Sequence, residues 1–136
     1  MTHALALIIE DDPKLGAIYQ TIVEQAGYIA EIIQTGDQAM KRLDTATPNL
    51  VLLDIHLPHV SGRDILQRIR SDKRLMHIPV IVLTADQHVT PAVTEQAYHV
   101  LTKSLGISQL RSLVARLRRD SESDTTEVLQ SSGDAT

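Results

Sequence analysis

The sequence predicts an α/β fold: a five-stranded doubly wound parallel sheet, order 2-1-3-4-5, in a three-layer α/β/α arrangement. Three observations predict it. Short continuous apolar runs recur along the chain, and each is followed by a stretch of helical period, five times before residue 119. Parallel neighbours need right-handed crossovers, and the 2-1-3-4-5 order is the natural closure at this length. Leu, Ile and Val supply 40 of the 136 residues, well above the level at which a chain stays disordered.

The elements follow in order. Ala4–Ile9 is a continuous apolar run, as in a strand covered on both faces. Asp12 is placed as the N-cap of a helix that begins at Pro13, carries Leu15, Ile18, Ile22 and Val23 at helical spacing, and stops at Gly27. Tyr28–Ile33 is the second strand. Thr35 and Gln38 have capping-box spacing and open a helix to about Asp44. Asn49–Leu53 is the third strand, running into Asp54, and Ser61 caps a helix along Asp64–Arg70. Ile78–Leu83 is the fourth strand, with Pro79 near its start where a missing N–H is tolerated. Thr90 and Pro91 begin a short helix to about Ala97, and Tyr98–Thr102 is the fifth strand. Ile107, Leu110, Leu113, Val114 and Leu117 form the stripe of the last helix, with Arg111, Arg116, Arg118 and Arg119 on its solvated face.

Composition removes several classes of function. With no Cys, disulfide scaffolds, thiolate zinc sites, iron–sulfur clusters and cysteine nucleophiles are excluded. With no Phe or Trp and three Tyr, stacking platforms for single-stranded nucleic acid are nearly excluded. The apolar runs fall far short of the roughly 18 residues of a membrane span, and residues 1–10 lack a signal-peptide pattern, so a cytoplasmic protein is expected. The net charge of −4 is uneven: residues 120–136 carry five acids and no base. The expected organisation is therefore a folded domain over 1–119 and an acidic, Ser/Thr-rich tail or linker over 120–136. The folded part is nearly neutral, and direct nucleic-acid binding is not expected.

In a doubly wound sheet, ligands bind at the carboxyl ends of the strands, near the switch point between strands 1 and 3. Strand 1 ends in Glu10, Asp11 and Asp12, strand 3 in Asp54, strand 4 in Thr84, and strand 5 in Thr102 and Lys103. Converging carboxylates repel, and a hard divalent cation relieves that repulsion; Mg²⁺ takes oxygen ligands and keeps several waters. A metal beside an Asp, a Thr and a Lys is also a phosphoryl-transfer set. An aspartate is ordinarily ionised near neutral pH, so unlike Ser it attacks without a general base. The product would be an acyl phosphate on Asp54. Asp12 fits better as a helix cap than as a ligand, and the His56 and His59 rings read as solvated loop residues.

Four segments, Ile9–Pro13, Leu53–Pro58 with Gly62, Ile78–Ala85, and Thr102–Lys103, together resemble the receiver domain of two-component response regulators, over residues 4–119. The resemblance implies a flavodoxin-like fold and Asp54 as the acceptor of a phosphoryl group from a phosphohistidine. It implies Asp11 and Asp54 as direct Mg²⁺ ligands, Glu10 acting through water, and the main-chain carbonyl of His56 as a further ligand. Thr84 and Lys103 would bind the phosphoryl group. The implied partners are a sensor histidine kinase or phosphotransfer protein and a downstream effector protein that the sequence does not name. The chain is expected to turn over no separate substrate, catalysing only its own phosphorylation and dephosphorylation.

Two departures from the family pattern bear on output. The family has Pro after the Lys, often across a cis bond, where this chain has Ser104; a trans Lys103–Ser104 bond is expected, since a cis non-proline bond costs about 2.5–4 kcal/mol. The family's switch aromatic is replaced by Val100, and Tyr98 lies roughly 6–7 Å further down the same strand face, too far to substitute for it. These departures keep an alternative open, an interaction module that uses the receiver fold without phosphorylation. An aspartyl-phosphate hydrolase is disfavoured, because such enzymes place a second Asp two residues after the nucleophile, where this chain has His56.

Overall fold

Continuous aliphatic runs form strands when both faces are to be covered, and the three inner strands of the sheet are built on such runs. The computed structural model describes residues 4–85, 88–103 and 106–134, those from 122 onward by backbone alone. In chain order the elements are β1 (Leu5–Ile9), α1 (Pro13–Gln25), β2 (Ile29–Ile33), α2 (Gly36–Leu43), β3 (Leu50–Asp54), α3 (Gly62–Ser71), β4 (Val80–Thr84), α4 (Pro91–Gln96), β5 (His99–Thr102) and α5 (Ile107–Asp134). The strands pair in parallel in the order β2-β1-β3-β4-β5, as the sequence predicts. Ile9 stands level with Leu53, Asp54 with Leu83, and Thr84 with Thr102, so the carboxyl ends of β1, β3, β4 and β5 form one edge.

Alternation along each strand divides the core in two. Leu7, Ile9, Val51, Leu53, Val80 and Val82 pack under α2, α3 and α4 through Ala39, Leu43, Ile65, Leu66, Ile69 and Val93. Ala6, Ile8, Leu50, Leu52, Ile81, Leu83 and Leu101 pack under α1 and α5 through Tyr19, Ile22, Val23, Leu110, Leu113 and Val114. Each fully buried aliphatic side chain contributes roughly 1.5–3 kcal/mol. The caps form where the sequence places them: Asp12 Oδ1 accepts from Lys14 N at 2.9 Å, Thr35 Oγ1 from Gln38 N at 3.4 Å, and Ser61 Oγ from Arg63 N at 3.1 Å. Arginines tie the far ends of α2 and α3 together. Arg74 donates to the carbonyls of Leu43 and Ala46, and Arg68 bridges Asp44 and Asp72, each at 2.8 Å.

The last helix departs from expectation. The sequence places its end near Arg119, where the apolar stripe stops, with a tail or linker beyond. In the structure the backbone of α5 continues as helix to Asp134. Ser, Thr, Asp and Glu are compatible with helical backbone, so the helix can continue where the apolar stripe in the sequence stops. No helix among the described residues is long and apolar enough to cross a membrane. Ser104 lies outside the described residues, and with it the expected trans Lys103–Ser104 bond.

Gly62, the first residue of α3, lets that helix sit directly on the turn after β3. A Cβ there would fall 2.6 Å from both the Asp54 carbonyl oxygen and Ile55 Cα, whereas one on Gly16 in α1 would meet only the Ile32 side chain at 3.5 Å. Gly62→Ala is therefore expected to destabilise by roughly 1–3 kcal/mol. Gly16→Ala is expected to stabilise by about 0.5–1 kcal/mol through the helix-interior preference for Ala. Urea midpoints of the two variants, moving in opposite directions from the unsubstituted chain, check this packing.

Candidate functional site

Strand alternation aims three charged side chains at one place. The Glu10 N–H donates to the Ile33 carbonyl at 3.0 Å, extending the β1–β2 ladder by one residue. Glu10 thereby follows Ala6 and Ile8 onto the α1/α5 face of the sheet. Asp54 follows Leu50 and Leu52 on β3 to the same face. Lys103, whose N–H donates to the Thr84 carbonyl at 2.8 Å, follows Leu101 beyond β5. Thr84 closes the end of β4 between them and is fully buried.

The groups meet. Carboxylate oxygens of Glu10, Asp11 and Asp54 lie within 4.8 Å of one another. Lys103 Nζ spans two of them, 2.9 Å from Glu10 Oε1 and 3.1 Å from Asp54 Oδ2. The other oxygens are held by main chain: Asp54 Oδ1 accepts from His56 N at 2.9 Å, and Glu10 Oε2 from Asp12 N at 3.2 Å. Glu10 and Asp54 are only 1% and 2% exposed, while Asp11 is exposed at the rim.

Burial pushes the Glu10 carboxyl from 4.5 to about 7; the hydrogen bond from Lys103 opposes the shift and the charge of Asp54 adds to it. Burial also works against the Lys103 ammonium, but hydrogen bonds to Glu10 and Asp54 outweigh it and hold the lysine above its ordinary value. One ammonium thus faces three carboxylates. Glu10 Oε1 is paired with Lys103 and keeps the capacity to accept a further bond. An all-oxygen donor set with surplus negative charge and spare acceptor capacity fits a hard divalent cation.

Of the residues singled out from the sequence, Glu10, Asp11, Asp54 and Lys103 converge, and Thr84 adjoins them at the end of β4. His56 enters through its main-chain N–H, in the turn that also carries its carbonyl. Among the described residues, neither the His56 nor the His59 ring joins a group placed to hold a metal. Asp12 serves as the α1 cap.

Sequence reasoning missed Tyr19. It lies in the core with no exposure, on the same α1/α5 face, and its hydroxyl has no hydrogen-bond partner. Burial, then the charge of Glu10, pushes its pKa up to about 12. The available signal was a tyrosine one turn after Gly16 on the buried face of α1, seven residues past the cap.

Comparison with known proteins places this geometry in a family. Residues 6–115 match the family model described as the response regulator receiver domain. The DNA-binding dual master transcriptional regulator RpaA of Synechocystis is 32% identical over 116 residues, covering 83% of this chain and 48% of that protein. The polar-differentiation response regulator DivK of Brucella ovis is 34% identical over 79 residues, covering 58% of this chain and 64% of that protein. The chain spans about half the length of the first curated relatives it matches. Response regulator TrrA of Thermotoga maritima, solved in complex with Mg²⁺–BeF, superposes with a TM-score of 0.74 at 26% identity, over 84% of this chain and 98% of that one. With the sheet order, the carboxylate corner and a family match over most of its length in agreement, the chain belongs to the response regulator receiver domain family of two-component systems.

Proposed function

We propose that the chain is a phosphoacceptor whose Asp54 takes a phosphoryl group from the phosphohistidine of a sensor histidine kinase or phosphotransfer protein. The observation that carries this reading is the convergence of Glu10, Asp11 and Asp54 within 4.8 Å, spanned by Lys103. A carboxylate oxygen of Asp54 attacks phosphorus in line, the P–N bond to the donor imidazole breaks, and the electron pair leaves with the imidazole. The product is an acyl phosphate on Asp54. Asp11 and Asp54 would hold Mg²⁺ directly, Glu10 through water, and the His56 carbonyl would complete the protein ligands. Bound there, the cation supplies charge neutralisation for the carboxylates and for the phosphoryl oxygens.

Lys103 shifts one of its donors from the carboxylates to a phosphoryl oxygen, and the Thr84 hydroxyl donates to another. The His56 N–H keeps Asp54 oriented, so the nucleophile is held by main chain rather than by a mobile side chain. The chain turns over no separate substrate. Phosphorylation biases a conformational equilibrium that an effector protein reads.

That equilibrium does not use an aromatic rotamer at position 100. Val100 packs partly buried against the α2/α3/α4 side of the core. Tyr98 is 47% exposed, and its N–H donates to the Val80 carbonyl at the opposite end of β4 from Thr84. Those ends are four residue steps apart, roughly 13 Å.

Incubation with Mg²⁺ and phosphoramidate is expected to add the mass of one phosphoryl group to the unsubstituted chain and none to Asp54→Asn; equal labelling of both contradicts the assignment. Mg²⁺ without a phosphodonor is expected to raise the thermal midpoint, by the equivalent of about 2.7 kcal/mol at a hundredfold excess over its Kd. Asp11→Asn should lose most of that shift, and differential scanning fluorimetry reads both.

A further inference from the structure

Beneath the carboxylates lies a polar group that phosphoryl acceptance leaves without a task. Tyr19 is fully buried in the second turn of α1, and its Oη has no hydrogen-bond partner. Long helical side chains lean toward the helix N-terminus, which in α1 directly follows Glu10, Asp11 and Asp12. The sheet supplies the facing wall. Ile8, Leu52 and Leu101 share a core with Tyr19, and each lies two residues before Glu10, Asp54 or Lys103 on its strand. Alternation therefore stands those three charged groups on the same face, one step above the residues that pack around the phenol.

One buried polar group, the phenol O–H, thus remains without a partner, while the Glu10 carboxylate oxygen Oε1, paired with Lys103, keeps the capacity to accept one more bond. Protein interiors rarely leave such a donor unpaired, and an ordered buried water is the usual resolution. The charge of Glu10 is the strongest charge acting on Tyr19 and helps to keep the phenol protonated, which makes it a donor.

We infer that Tyr19 Oη and Glu10 Oε1 hold one buried water between them at the floor of the carboxylate corner, and that Tyr19 is a positioning residue which fixes Glu10 for cation binding. The inference rests on the reading of that corner as a Mg²⁺ site. Partners one step removed from a metal, which orient the groups around it, typically change affinity by tenfold or more when lost.

The test is isothermal calorimetry of Mg²⁺ binding to the unsubstituted chain, Tyr19→Phe, Glu10→Gln and the double variant, with a crystal structure of the metal-free protein. Tyr19→Phe is expected to weaken Mg²⁺ binding by about tenfold. The same change in the Glu10→Gln background is expected to have little further effect, because Tyr19 acts through Glu10. The crystal structure is expected to show a water within hydrogen-bonding distance of Tyr19 Oη and Glu10 Oε1. Unchanged affinity in Tyr19→Phe, an equal loss in both backgrounds, or no water joining the two atoms overturns the inference while leaving the metal site intact. If Asp11→Asn binds Mg²⁺ as tightly as the unsubstituted chain, the metal reading itself fails, and the inference with it.

Discussion

Three carboxylates held within a few ångströms of one another, two of them buried, are the constraint on which the rest of this structure depends. Glu10, Asp11 and Asp54 repel, and one lysine cannot neutralise them all. The strain shows in Glu10, whose carboxyl sits near 7 because burial disfavours its charge. Breaking one partner out of a buried charge cluster is far costlier than its exposed counterpart would be, so Lys103 is held as firmly as it holds. The corner is poised for more positive charge, and its function follows from what supplies it.

Such an arrangement survives only on a stiff frame. The parallel sheet fixes the ends of β1, β3, β4 and β5 to one level, and a closely packed, mainly aliphatic core on each face leaves them little room to relax. Local contacts refine the aim. The His56 N–H fixes one oxygen of Asp54, the Asp12 N–H fixes one of Glu10, and Gly62 brings α3 onto the turn that carries both Asp54 and His56. The far ends of α2 and α3, tied by Arg74 and Arg68, brace the frame away from the chemistry.

Much of this was legible in the chain because its signals are local and periodic. Continuous runs such as Leu50–Leu53 read as covered strands, and Asp12, Thr35 and Ser61 read as caps that do form. The carboxylate corner was legible because each of its members ends a strand, and the topology of a doubly wound sheet does the gathering. Two things escaped. The helical backbone beyond Arg119 carries no apolar stripe, and burial pattern was the signal used to bound helices. Tyr19 escaped because its hydroxyl matters only through its depth below Glu10, which depends on how α1 lies against β1, a tertiary fact with no counterpart in spacing along the sequence.

The most direct test of the central claim is a crystal structure of the chain with Mg²⁺ and beryllofluoride. The account predicts beryllofluoride on a carboxylate oxygen of Asp54, the cation in contact with Asp11 and Asp54, and Lys103 drawn from Glu10 toward a fluorine. A corner holding neither ion while Glu10, Asp11 and Asp54 keep their places would contradict it.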